Sequence, residues 1–185
     1  PIFMPFIIIK ISLILIEPIR FSIYSYINYI TIVIIGCSIF LPLLSLSFLI
    51  KNGRVKSLEM NNHKERSEPL LFTAIFMFFG YTILKNLLVY SPILKAEIFG
   101  VILIMLIGSS ISFFWKISLH MLAIGGVFGI LIGLNIIFGG LNKYIIIVLV
   151  LSGLLGTARI YENAHNHAQI YIGFILGVTI GMSSI

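Results

Sequence analysis

The chain has 185 residues, of which 59% are hydrophobic and only 10% are charged. So few polar side chains cannot cover a soluble globule of this size, and the composition therefore predicts an integral membrane protein. The net charge is +6, but the basic residues are scattered between apolar runs and form no stripe interleaved with aromatic residues, which argues against a nucleic-acid partner. Cys37 is the only cysteine, so neither an intramolecular disulfide nor a thiolate metal site can form.

Seven apolar runs predict an all-α, polytopic transmembrane helix bundle of about six or seven segments, which we treat as one domain over residues 1–185. The runs are residues 3–16, 27–50, 70–90, 93–115, 119–138, 144–161 and 170–185. A crossing helix needs about 20 residues, so the first and last runs are short. Pro42 and Lys85 lie inside runs, and both are tolerated where neighbouring helices or the membrane interface satisfy them.

The polar residues are concentrated in the connections between the runs. The longest connection, residues 51–69, holds five of the twelve basic residues and is expected to lie at the face of the membrane that carries the active site. Counting the spans in pairs brings two further polar groups, residues 116–120 and 159–167, to the same face. Lys, Arg and His side chains gathered there would supply the charge-assisted donors that a phosphate group requires.

Glycines recur at three- and four-residue spacings after His120 and again after His165. In lipid this spacing allows helix backbones to approach closely. It predicts that the two helices that follow these histidines each lie close to a neighbouring helix.

Three short patterns carry a family resemblance. Arg159 is followed by five residues, then His165, then three residues and Gln169; Ser118 and His120 form a second pattern, and Arg66 to Pro69 a third. In these patterns the chain resembles the type 2 phosphatidic acid phosphatase (PAP2) superfamily, whose motifs are K-x6-R-P, P-S-G-H and S-R-x5-H-x3-D. It is similar, more specifically, to a compact bacterial branch of PAP2-like membrane proteins.

The resemblance implies a phosphatase of the bacterial inner (cytoplasmic) membrane that hydrolyses a phosphate or pyrophosphate lipid through a phosphohistidine. His165 would be the nucleophile and His120 the general acid, tasks that suit imidazole because its pKa lies near neutrality. The phosphate would be bound by five side chains, those of Arg159, Arg66, Lys64, Ser118 and Lys116. No metal and no cofactor are expected. The expected partners are membrane lipids, among them the phosphorylated substrate, and a membrane protein complex is a further candidate.

The chain departs from the family pattern at the residue that orients the nucleophile. Gln169 stands where the family has Asp, so it can orient the imidazole of His165 but offers no charge. Glu162 is a second candidate for that task. Arg159 and His165 are six positions apart, not the three or four that place two residues on one helical face. The resemblance implies a helix break between them, with His165 near the start of the next helix, and Asn163 and Asn166 favour a break in this region.

Two other functions remain open. The first alternative is a catalytically weak or inactive PAP2-fold scaffold or accessory subunit that binds a lipid headgroup or a protein, which Gln169 favours. The second is a membrane protein that ligates haem through His120 and His165. Orientation is also open, because the excess of Lys and Arg favours a cytoplasmic site whereas the resemblance favours the outer face, which we expect.

Overall fold

The computed structural model describes residues 23–56, 60 and 62–185, together with Phe6, Ile9, Lys10 and Leu13. Every regular element in this part of the chain is helical, and five helices are long and apolar enough to cross a membrane. The all-α prediction is therefore confirmed for the described residues, and the protein is an integral membrane protein by this criterion. Most of the first predicted run, residues 3–16, lies outside the described residues.

Helix α1, Tyr24–Lys51, continues through Pro42 without ending. The turn immediately before this proline, Gly36–Phe40, is π-helical. Proline has no N–H to donate, and its ring clashes with the carbonyl four residues back in a regular helix. A widened turn accommodates that defect, which explains how the helix tolerates Pro42.

Helix α2, Ser67–Leu84, follows a 3-10 turn at His63–Arg66, and helix α3 is Pro92–Phe114. The apolar run predicted α2 to reach residue 90, but the helix ends at Leu84 and the chain turns before α3. The first residue of α2 is hydrogen-bonded to α3, because the Ser109 hydroxyl donates to the Ser67 carbonyl at 2.8 Å.

Helices α4, Leu119–Phe138, and α6, His167–Ser183, pack in parallel with their backbones in contact. A Cβ on Gly125 would collide with the Phe174 carbonyl oxygen, and one on Gly177 would collide with the Leu122 carbonyl oxygen. The close approach expected from the glycine spacing is thus confirmed, and each helix is the neighbour of the other. The histidine-bearing starts of both helices consequently lie side by side.

Helix α5, Asn142–Tyr161, runs between α4 and α6 in sequence but is much less enclosed. In an 18-residue apolar stretch of each helix, 61% of α4 is buried inside the protein, against 11% of α5. The bulk of α5 therefore faces the surroundings of the bundle, where its apolar side chains suit lipid.

Candidate active site

The start of α4 is tied to the start of α6 by a backbone hydrogen bond. The Ser118 N–H donates to the Gln169 carbonyl at 3.3 Å. Ser118 directly precedes α4, and His120 lies in the first turn of that helix. The bond therefore brings His120 to the end of the bundle at which the connection before α6 carries His165.

Arg159, in the last turn of α5, reaches across to His120. Its Nη2 lies 3.0 Å from Nε2 of His120, and its Nη1 donates to a carboxylate oxygen of Glu162 at 3.0 Å. A guanidinium group is always charged and has only donors. Nε2 of His120 must therefore accept this hydrogen bond, which leaves the ring proton of a neutral His120 on Nδ1.

The helix break predicted between Arg159 and His165 is confirmed. Helix α5 ends at Tyr161, and Asn163 adopts the left-handed backbone conformation with a φ of +52°, a conformation that asparagine tolerates better than most residues. Asn166 caps α6: its side chain accepts from the Gln169 N–H at 2.9 Å, and the Gln169 side-chain oxygen accepts from the Asn166 N–H at 3.2 Å. This reciprocal pair is a capping box, which satisfies two helix-end donors at once.

The same side-chain oxygen of Gln169 also contacts His165, 3.0 Å from Nδ1. Because this oxygen is an acceptor, Nδ1 of His165 must carry the ring proton. Nε2 is then left with its lone pair. The hydrogen bond to Gln169 thus holds the His165 ring and selects the tautomer whose Nε2 is unprotonated. Glu162, the second candidate for this task, pairs with Arg159 instead.

His165 is buried, with 9% of its surface exposed. Burial lowers the pKa of its imidazole below the ordinary 6.5, the hydrogen bond to Gln169 raises it, and the nearby positive charges of Arg66, Lys116 and Arg159 lower it further. The net effect on the pKa is downward. Since the protonated form is disfavoured in this environment, His165 is neutral at physiological pH.

The remaining predicted site residues fall into two groups. Arg66 and Lys116 are half-buried and lie close enough for their charges to act on His165, and Arg66 Nε donates to the Met60 carbonyl at 2.8 Å. Ser118 is fully buried. Among the described residues, neither its hydroxyl nor the buried Nε of Arg159 has a hydrogen-bond partner. Lys64 is exposed, and no contact found in the described part of the chain joins its ammonium group to the other site residues.

His63, in the long polar connection, is a residue with no role among the sequence-based predictions. Its Nδ1 lies 2.7 Å from the Ser112 carbonyl oxygen, so it donates a hydrogen bond to the end of α3 and anchors the 3-10 turn that carries Arg66. The polar residues of all three connections therefore meet at one end of the bundle, as the counting of spans predicted.

The fold and this site define a polytopic helical membrane protein with two histidines among basic side chains at one end of its bundle. The chain matches no protein-family model, and neither a curated protein nor a solved structure is similar to it at a significant level.

Proposed function

We propose that the protein is a PAP2-type phosphatase of the bacterial inner membrane, which hydrolyses a phosphate or pyrophosphate lipid at the outer face through a phosphohistidine intermediate. The observation that carries the proposal is the state of His165: a neutral imidazole with a free Nε2 lone pair and the charges of Arg66, Lys116 and Arg159 close by. A nucleophile of this kind needs an anionic electrophile, and the cations supply electrostatic stabilisation for one.

In the proposed reaction, Nε2 of His165 attacks phosphorus while the bond from phosphorus to the lipid oxygen breaks. The leaving oxygen takes a proton from His120. Water then attacks the phosphohistidine and gives a proton to His120, which releases inorganic phosphate and restores both histidines. Catalysis of phosphoryl transfer depends mainly on positioning and on charge stabilisation, which Arg159, Arg66 and Lys116 would provide, with Ser118 as a further donor and Lys64 as a more distant one.

The acid step requires a rearrangement of Arg159. His120 accepts a hydrogen bond from Arg159 through the nitrogen that would have to hold the proton to be transferred. A bound phosphate offers the guanidinium a better acceptor, because hydrogen bonds between two charged groups are the stronger ones. Once Arg159 turns to the phosphate, Nε2 of His120 is free to be protonated and to act as the acid.

The test is phosphate release from a panel of lipid phosphates and pyrophosphates by the purified, detergent-solubilised protein. We expect release by the unmodified protein and none by the His165→Ala and Arg159→Ala variants. His167→Ala is the matched control, because His167 is exposed and its ring stacks on Tyr171, outside the site. Equal release by His165→Ala and the unmodified protein would exclude the phosphohistidine.

A second function, the scaffold that binds a phosphorylated headgroup without turnover, is favoured by one observation. Gln169 gives His165 no negative charge, so the protonated imidazolium that forms with the phosphohistidine is not stabilised as a carboxylate would stabilise it. In the same panel, a scaffold would bind lipid phosphates in an Arg159-dependent manner but release no phosphate from any of them.

A further inference from the structure

A cavity of about 300 Å³ lies between α5 on one side and α4 and α6 on the other. Its lining includes Met121, Leu149, Gly153, Ile160, Ile170 and Phe174. This volume is at the lower end of the range for small-molecule pockets. The walls are predominantly apolar, so the cavity suits a hydrocarbon occupant.

The cavity begins directly beside the site. Three of its lining residues are the next residues in the chain after site residues: Met121 follows His120, Ile160 follows Arg159 and Ile170 follows Gln169.

The cavity then extends along α5 as far as Leu149. Leu149 and Ile160 are eleven positions apart on the helix, which corresponds to about 16 Å. That length is about half the ~30 Å thickness of the hydrocarbon core of a bilayer, and so about the depth of a single leaflet.

The small residues of α5 keep this space open. A Cβ on Gly153 would meet nothing within 4 Å, and one on Gly156 would lie 3.4 Å from the nearest atom, Cγ2 of Ile170. The glycines of the α4 and α6 contact behave differently, because a Cβ there would collide with backbone atoms. The glycines of α4 and α6 thus allow these two helices to pack in backbone contact. Gly153 and Gly156 instead leave the cavity open as a slot between α5 and its neighbours.

We propose that this slot binds one hydrocarbon chain of the substrate whose phosphate lies at Arg159 and His165. The proposal rests on the proposed function and adds to it the position and number of the chains that the site accepts. A cationic end joined to an apolar end of one-leaflet depth is complementary to an amphiphile with an anionic headgroup. A volume of about 300 Å³ along a length of about 16 Å leaves room for one chain, so the preferred substrates carry one chain beside the headgroup, as isoprenyl phosphates and single-chain phosphate monoesters do.

The test is photo-crosslinking of the detergent-solubilised full chain. The probe is a single-chain phosphate monoester with a diazirine near the end of its chain, and the comparison probe has the same chain with a neutral alcohol headgroup. We expect the phosphate probe to label α5 near Leu149, as read by mass spectrometry of peptides, and the alcohol probe to label it at least about tenfold less. Gly153→Leu fills the slot and should lower labelling by about tenfold or more.

Gly36→Leu is the matched control, because a Cβ on Gly36 also meets nothing within 4 Å but lies on α1, away from the slot. Labelling that is unchanged in Gly153→Leu, or that is equal for the two probes, would overturn the proposal, since the slot would then be an ordinary lipid-facing groove. Protein-to-protein crosslinks through α5 in place of lipid labelling would also overturn it, because a second copy would then occupy this face.

Phosphate release separates this proposal from the proposed function. With a small water-soluble phosphate monoester as substrate, Gly153→Leu should release phosphate as the unmodified protein does, whereas release from the single-chain lipid should fall about tenfold or more. Specific labelling without release from any substrate would leave the chain site standing and exclude the phosphatase. If phosphate is released from both substrates and Gly153→Leu changes neither rate, the phosphatase would stand and the chain site would be excluded.

Discussion

Arg159 and His120 are 39 positions apart in the chain, yet Nη2 of the arginine lies 3.0 Å from Nε2 of the histidine. The same guanidinium pairs with Glu162. In the structure, therefore, the central cation of the site is engaged by two protein groups. A phosphorylated ligand competes with both of them for the guanidinium, and this competition lowers the affinity of the site.

Replacing Glu162 with glutamine should strengthen the binding of phosphorylated substrates. The Glu162 carboxylate is 58% exposed, and exposed ion pairs contribute about 1 kcal/mol or less, so we expect KM to fall by no more than about fivefold. Glu68→Gln is the matched control, since Glu68 is also partly exposed and pairs with Arg54 at 3.5 Å. A rise in KM for Glu162→Gln would mean that Glu162 holds Arg159 in its productive position.

Substitutions of Gln169 should separate its two tasks. Gln169→Leu removes the side-chain oxygen that accepts from the Asn166 N–H in the capping box and from Nδ1 of His165. We expect a loss of about 1 kcal/mol in the free energy of unfolding. Phosphate release should fall by as much as about ten-thousandfold, the cost of losing a tautomer-fixing carboxylate in a serine protease.

Gln169→Glu should keep the acceptor and add a negative charge beside His165. The charge should raise the pKa of His165 and increase the rate at pH values above that pKa. Titration of His165 by NMR together with steady-state kinetics would measure both effects. A pKa that does not move in Gln169→Glu would mean that the new carboxylate points away from the ring.

The pH dependence of the reaction follows from the lowered pKa of His165. The nucleophile is the unprotonated ring, so activity should persist below pH 6.5 and be lost only as the pH falls through the lower pKa of the folded protein. Lys116→Met removes a positive charge that lowers this pKa, so its acid limb should move to higher pH. Lys64→Met is the control and should leave the limb in place.

Stability should depend on pH through the same group. Because the pKa of His165 is lower in the folded protein than in the unfolded chain, the unfolded chain binds protons first as the pH falls. The contribution of His165 to stability is therefore fully present above about pH 6.5 and decreases below it, towards the pKa of the folded state. Thermal unfolding of the unmodified protein and of His165→Ala should diverge in this window, and parallel curves would contradict the assignment.

The contact between α4 and α6 should be intolerant of larger residues. Gly177→Leu would place its side chain against the Leu122 carbonyl, and overpacking of this kind costs about 1–3 kcal/mol or more. We expect a lower unfolding temperature and a lower rate, because both histidines depend on this contact for their positions. Gly36→Leu, which adds the same side chain in open space, should change neither.

The helices themselves could be predicted well from the sequence, since a run of apolar residues is sufficient to indicate a span. The break between Arg159 and His165 was also predictable, because asparagines at Asn163 and Asn166 favour a left-handed turn and a helix cap. The end of α2 was predicted wrongly, since apolar residues continue past Leu84 although the helix does not. Hydropathy indicates which residues can lie in lipid, but it does not indicate the residue at which the helical hydrogen bonds end.

The pairings within the site could not be predicted in the same way. The glycine spacings after His120 and His165 indicated close packing, but they did not say that the two helices pack against each other. The engagement of Arg159 by His120 and Glu162 depends on how α5 lies across the bundle. The double use of the Gln169 oxygen, for the cap and for His165, required the local geometry of the turn.

The side chains of the site are held by helices that are packed to different degrees, because α4 and α6 are in backbone contact whereas α5 is loosely enclosed. His120 lies on α4 and His165 is hydrogen-bonded to Gln169 of α6, and these two helices touch through their backbones. Arg159 is attached to a helix of which little is enclosed by the rest of the protein. Displacements of α5 therefore change the separation of Arg159 from His120, whereas His165, whose N–H donates to the Arg159 carbonyl at 3.4 Å, is tied to the end of α5 as well as to α6. Arg159 is the basic side chain of the site on the helix with the largest lipid-facing part, so in the proposed phosphatase the thickness and lateral pressure of the bilayer should act on phosphate binding through α5.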